Sequence, residues 1–97
     1  MGKISAADLR RLRNDIGIDE VIDRLHIPWK RRDGYLRFLC PRCGDFHTAT
    51  NPRTNLGRCF RCRENFNPVD LVMVQERTSF LDAVRRLRRM MRDPRKG

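Results

Sequence analysis

The chain has 97 residues, 39% of them apolar and 35% charged, and its formal net charge is +10. Such a length suits one small domain whose core is too slight to be self-sufficient, and such a charge favours a polyanionic partner, nucleic acid first. The longest apolar run, Leu71-Val72-Met73-Val74, excludes a membrane-spanning helix; the N-terminus lacks a signal-like apolar block, and Ala6 replaces the Ser or Thr of a myristoylation signal, so the expected location is the cytoplasm.

Ser5-Ala6-Ala7-Asp8 resembles a capping box with Asp in place of Glu and predicts a helix from about Ala6. Ile4, Leu9 and Leu12 form its apolar side, Arg10, Arg11 and Arg13 face outward, and Gly17 stops it. Ile18, Val21, Ile22 and Leu25 share one stripe of a second helix, expected over 19–26 and ended by Pro28. His26, at its end, reads as a surface or capping histidine without chemistry. The run Trp29-Lys30-Arg31-Arg32-Asp33-Gly34 reads as a basic turn. It leads into a strand over 35–39, with Tyr35, Arg37 and Leu39 on one face and Leu36 and Phe38 on the other. Further strands are expected over 46–50 and 56–59, joined by the turn-rich Asn51-Pro52-Arg53-Thr54-Asn55, to give a three-stranded antiparallel sheet.

Asn67-Pro68 opens a helix that is apolar on nearly all sides. Thr78-Ser79 caps a last one, with Phe80, Leu81, Val84, Leu87, Met90 and Met91 at helical spacing. Its other face carries Arg85, Arg86, Arg88, Arg89 and Arg92, with only Asp82 in view as a partner. Asp93-Pro94 ends it, and a disordered tail follows. The expected fold is α+β, one domain over 1–97: N-terminal helices within 5–27, a ribbon over 34–62, C-terminal helices over 67–92 and a tail over 93–97.

All four cysteines fall in two Cys-x-x-Cys pairs, Cys40-Pro41-Arg42-Cys43 and Cys59-Phe60-Arg61-Cys62, separated by fifteen residues. This spacing makes Cys40, Cys43, Cys59 and Cys62 the expected ligands of one structural Zn²⁺, each pair a knuckle of a zinc ribbon. Disulfides want an export signal, and a thioredoxin-type motif wants a single pair in a βαβ unit. A rubredoxin-like iron site remains as the alternative, because Cys40-Pro41-x-Cys43-Gly44 suits it. Four protein ligands leave no open position, so the site is structural rather than hydrolytic. Four thiolates and one Zn²⁺ bring the net charge to nearer +8.

The basicity is uneven. Residues 1–33 carry net +2, 34–62 net +4, 63–84 net −2 and 85–97 net +6. Arg42, Arg58, Arg61 and Arg63 flank the cysteines and read as counter-charge for a tetrathiolate. That leaves Lys30, Arg31, Arg32, Arg37 and Arg53 to explain, interleaved with Tyr35, Phe38, Phe46 and Phe60 in the manner of a single-strand stacking platform. Phe38, Phe46 and Phe60 are more simply core residues, which makes Tyr35 beside Arg37 the exposed pair. The candidate nucleic-acid contacts are therefore Lys30, Arg31, Arg32, Tyr35, Arg37 and Arg53, then Arg58 and Arg61 on the ribbon, and Arg85, Arg88 and Arg89 on the last helix.

In this order the parts resemble the N-terminal zinc-binding domain of bacterial DNA primases, the Cys-His-Cys-Cys finger. The resemblance is carried by Ile18-Asp19-Glu20-Val21-Ile22, by Lys30-Arg31-Arg32-Asp33-Gly34, by the knuckles Leu39-Cys40-Pro41 and Arg58-Cys59-Phe60-Arg61-Cys62, and by Pro68-Val69-Asp70-Leu71-Val72-Met73 and Ser79-Phe80-Leu81-Asp82-Ala83-Val84. It spans roughly residues 15–90. The family's second ligand, a histidine, is Cys43 here, which is more similar to the four-cysteine ribbon of phage primase-helicases. The family's glycines after the fourth ligand are Arg63 and Phe66, and its Thr-Pro-Ser-Phe stretch is reduced to Phe46.

The resemblance implies a stand-alone module that recognises single-stranded template DNA in replication priming, with a separate polymerase or helicase. The chain shows no paired-carboxylate motif of a polymerase, so no enzymatic activity is expected. The alternative is a protein-interaction adaptor in which the ribbon is structural and the arginine-rich helix docks on an acidic partner.

Overall fold

In the computed structural model, which describes residues 5–92, three of the four helices start at a local side-chain cap. Ser5 caps helix α1 (Ala6–Asn14), its hydroxyl accepting from the Asp8 N–H at 3.1 Å. Helix α2 (Ile18–Arg24) is shorter than expected, because the chain turns left-handed at His26 (φ 59). There the N–H groups of His26 and Ile27 donate to the carbonyls of Asp23 and Ile22, a Schellman closure. Asn67 and Asp70 form a reciprocal capping box at the start of α3 (Pro68–Glu76), and Ser79 accepts from the Asp82 N–H before α4 (Phe80–Arg92). Ile4, the Asp93-Pro94 stop and the 93–97 tail lie outside the described residues.

The strands depart from the sequence expectation. Residues 29–34 are not a turn: β1 (Trp29–Arg32) pairs antiparallel with β2 (Tyr35–Phe38) around a two-residue Asp33-Gly34 bend, both residues at positive φ. Asp-Gly suits this type I′ hairpin. Because all four residues of β1 are exposed, it carries none of the alternation by which a half-buried strand is recognised. The three-stranded sheet has the order β3 (Thr48–Asn51), β4 (Leu56–Cys59), β5 (Glu64–Phe66). Segment 35–39 therefore belongs to the hairpin, and the place expected for it is taken by β5, which follows the second knuckle. The α+β class holds; the membership of the sheets does not.

The two sheets meet at Thr48. Its buried hydroxyl donates to the Phe38 carbonyl at 2.6 Å and accepts from the Phe38 N–H at 2.7 Å, bridging β2 and β3 where no ladder joins them. The Phe38 ring lies against Gly57 of β4, where an added Cβ would come within 2.9 Å of it. Behind the sheets, Ile18, Val21 and Ile22 of α2 pack with Leu71 and Val72 of α3 and with Val84 and Leu87 of α4. Asn55, in the β3–β4 turn, ties the helices to the sheet. It accepts from the Ile18 N–H at the start of α2 and donates to the carbonyls of Arg13 and Ile16 at the end of α1. Among the described residues no helix is long and apolar enough to cross a membrane.

Replacing Thr48 by Val strands a buried N–H and a buried carbonyl on Phe38, each worth about 1–3 kcal/mol unmade. Thr48→Val is expected to cost about 2–4 kcal/mol in urea unfolding, whereas Thr48→Ser, which keeps the hydroxyl, costs about 1 kcal/mol.

Candidate functional site

Each Cys-x-x-Cys pair sits on a turn closed by its own backbone. The Gly44 N–H donates to the Cys40 carbonyl and the Arg63 N–H to the Cys59 carbonyl, both at 2.8 Å, and both closing residues are left-handed (φ 71 and φ 59). The knuckles are conformational twins, with Arg63 in a position that Gly44 fills in the first. One sulfur of each pair also receives a backbone donor: Arg42 N–H to Cys40 Sγ at 3.4 Å, Cys62 N–H to Cys59 Sγ at 3.3 Å.

The four Sγ atoms lie within 4.8 Å of one another, with Cys40–Cys62 at 3.9 Å and Cys43–Cys59 at 3.7 Å. A tetrahedron with metal–sulfur bonds of about 2.3 Å has edges of about 3.8 Å, which these two separations match, so the four sulfurs could hold one ion. Cys40 and Cys59 are buried while Cys43 is exposed, which sets the cluster at the surface with its inner edge in the core. Burial raises the Cys40 thiol above its ordinary value. Desolvation, then its thiol neighbours Cys43, Cys59 and Cys40, push Cys62 up to about 12. At Cys59 burial acts upward too, but the Cys62 N–H and the surrounding thiols outweigh it and the thiol is lowered. The thiolate of Cys59 is thus favoured over those of Cys40 and Cys62, and a bound cation would favour the deprotonated form of every thiol it takes as a ligand.

Two of the four flanking arginines have acid partners, and the charges of Cys43 and Cys62 act on Arg61 beside Asp45. Arg42 pairs with Glu64 at 3.2 Å and Arg61 with Asp45 at 3.1 Å, and the Arg61 guanidinium holds the Asp45 carboxyl below its ordinary value. Glu64 of β5 and Asp45 after the first knuckle take these two cations, and Cys40 and Cys59 also receive backbone N–H groups.

Cross-strand partners share a face of the hairpin, and the register sets Lys30 opposite Arg37 and Arg32 opposite Tyr35. Arg31, opposite Leu36, belongs to the other face, its guanidinium 6.0 Å from the Trp29 ring centroid. Beside the hairpin, Tyr35, Arg37, Arg53, Arg58 and Phe60 line a depression of about 660 Å³. Tyr35 is 55% and Phe60 54% exposed. Phe60 is therefore not the core residue its type suggests. Both cysteines of its knuckle turn inward, and the residues between them are forced out; that geometry is the signal that would have found it. Arg58 lies 5.7 Å from the Phe60 ring centroid and donates to Asn65, and Arg37 donates to the Thr48 carbonyl at 3.0 Å. Lys30 stands over the half-buried Phe46, 4.7 Å from its centroid.

The α4 arginines have more partners than the sequence indicates. Arg85 meets Asp82 at 3.4 Å, Arg86 meets Glu76 of α3 at 3.3 Å, and Arg88 meets Asp8 of α1 at 3.7 Å. Of Arg85, Arg88 and Arg89, only Arg89 has no acidic partner among the described residues. The structure brings Lys30, Arg32, Tyr35, Arg37, Arg53 and Arg58 together, and leaves Arg31, Arg61 and the α4 residues apart from them.

Arg63 bears a left-handed strain that glycine does not, so Arg63→Gly is expected to raise stability by about 0.5–1 kcal/mol, read as a higher denaturation midpoint. No protein-family model matches the chain, and no curated protein matches it.

Proposed function

We propose that the chain is a zinc-binding, DNA-binding module that takes single-stranded template DNA in replication priming, acting with a separate polymerase or helicase. The observation that carries this reading is the depression between hairpin and sheet, where two exposed aromatic rings stand among three arginines with no carboxylate on the lining. Stacking on Tyr35 and Phe60 accepts any base, and Arg37, Arg53 and Arg58 supply charge for the backbone between them. Lys30 opposed directly to Arg37 is a like-charge pair that costs stability unless a polyanion lies across it. The primase resemblance supplies priming as the setting; the cations and rings supply the polymer.

In this reading Cys40, Cys43, Cys59 and Cys62 hold Zn²⁺, and the structure is a zinc ribbon with the hairpin appended. The ion supplies no reaction chemistry, since four thiolates complete its coordination; it fixes the knuckles and so the outward placement of Phe60. The chain has no catalytic role of its own.

A docking adaptor is the second reading. It is favoured by the intramolecular pairing of Arg85, Arg86 and Arg88 beside exposed Phe80, Leu81 and Met91, which would suit a partner protein better than phosphates.

Stripping metal with a chelator is expected to unfold the 40–66 region, because a structural zinc site contributes on the order of 10 kcal/mol to folding. Far-ultraviolet dichroism and metal analysis follow this, and an absorbance in the visible would identify iron instead. In anisotropy titrations at about 150 mM salt, Tyr35→Ala and Phe60→Ala are each expected to weaken single-stranded DNA binding by about 1–3 kcal/mol. Their exposure leaves thermal stability nearly unchanged. Full affinity in both variants, or equal binding of duplex, would defeat the single-strand reading and leave the adaptor.

A further inference from the structure

The depression on the ribbon does not end at the β3–β4 turn. Thr54 and Leu56 form a rim common to it and to a second depression, about 540 Å³, whose far wall is helix α1. That wall carries Arg10 and Arg13, three residues apart on the helix and so on one face, with Asn14 beside them. Both arginines are exposed, and neither has an acidic partner among the described residues. No carboxylate lines either depression, although the chain contains twelve acids. The helix dipole gives a local reason for Arg13, in the last turn of α1, but none for Arg10 in its middle. The wall is also rigidly placed: the Asn55 carboxamide holds the Arg13 carbonyl at 2.5 Å and the Ile16 carbonyl at 2.8 Å, fixing the end of α1 to the rim itself.

We propose that Arg10 and Arg13 form a second phosphate-binding segment, so that a single strand lying over Tyr35 and Phe60 continues across the β3–β4 turn onto α1. This rests on the single-strand reading above and extends its path by one helix. The path runs from Arg37 through Arg58 and Arg53 to the helix; the smaller hollow that Arg37 borders beside Lys30 and Arg32 also carries Asp33 and Asp45 on its lining. The helix segment has no exposed aromatic ring, so it takes backbone charge without regard to base, and only a strand long enough to reach past the turn engages it.

The test is the salt dependence of anisotropy for labelled oligo-dT of about four and about twelve nucleotides, with the metal-loaded protein. Each phosphate contact contributes about 0.7 to the slope of log K against log salt for a single strand. Arg10→Gln with Arg13→Gln is therefore expected to flatten the slope for the longer strand by about 1.4 and weaken its binding, leaving the shorter strand unaffected. Arg10→Lys with Arg13→Lys, which keeps both charges, is expected to restore the slope. An unchanged slope for the longer strand in the Gln pair overturns the proposal, while Arg53→Gln with Arg58→Gln flattening it shows that the single-strand reading survives. Failure of the unaltered protein to bind either strand removes that reading and this one with it.

Discussion

Between β2 and β3 there is no backbone ladder, and the Thr48 hydroxyl takes its place by donating to one peptide group of Phe38 and accepting from the other. Everything at the cysteine cluster depends on that joint. Thr48 stands directly opposite Cys59 in the β3–β4 register, and Phe38 precedes Cys40 by two residues. One buried side chain therefore sets the distance between the strand that delivers the first knuckle and the strand that delivers the second. The Phe38 ring, pressed on Gly57, makes the same joint from the apolar side. A shift of either sheet would separate sulfurs that now stand 3.7 and 3.9 Å apart.

Asn55 does for the helices what Thr48 does for the strands. The short α2 has no side-chain cap of its own, since Gly17 precedes it, and a carboxamide from 37 residues away accepts its first N–H. The same group donates to two carbonyls at the end of α1, so the loose ends of two helices are satisfied by one residue of the β3–β4 turn. Asn55 holds φ 56 to do so, a conformation that asparagine tolerates better than most. The helical layer and the three-stranded sheet are thereby one frame, and the α1 arginines hold a fixed relation to the exposed aromatic rings.

Electrostatic pairing sorts the basic residues into two groups. Arg42 and Arg61 at the knuckles and Arg85, Arg86 and Arg88 on α4 each find an acid within the chain. Around the Tyr35–Phe60 depression and the adjoining one that Arg10 and Arg13 line, the cations share the lining with neutral groups alone. Cations left together without acids repel one another, and such an arrangement is relieved by a ligand of opposite charge. This contrast, rather than the net charge of +10, is what distinguishes one surface from the rest.

The sequence by itself determined the cysteine spacing, the four helices with the side-chain caps of three of them, and the inward face of β2. These are local: a capping oxygen, a proline at a helix start or a period-two pattern acts over a few residues and is written in consecutive letters. The clustering of the four sulfurs followed from spacing as well, because two Cys-x-x-Cys turns joined by a returning segment have few other ways to close. The hairpin was concealed because β1 buries nothing and so has no pattern, although its Asp33-Gly34 bend was visible. β5 was hidden because three residues after a knuckle carry too little signal to announce a strand. The partners of Arg61, Arg86 and Arg88, the exposure of Phe60 and the placing of Arg10 beside the β3–β4 turn depended on residues distant in the chain meeting in space. Only the tertiary structure decided those, because a charge is neutralised, or a ring left bare, by what the fold brings next to it.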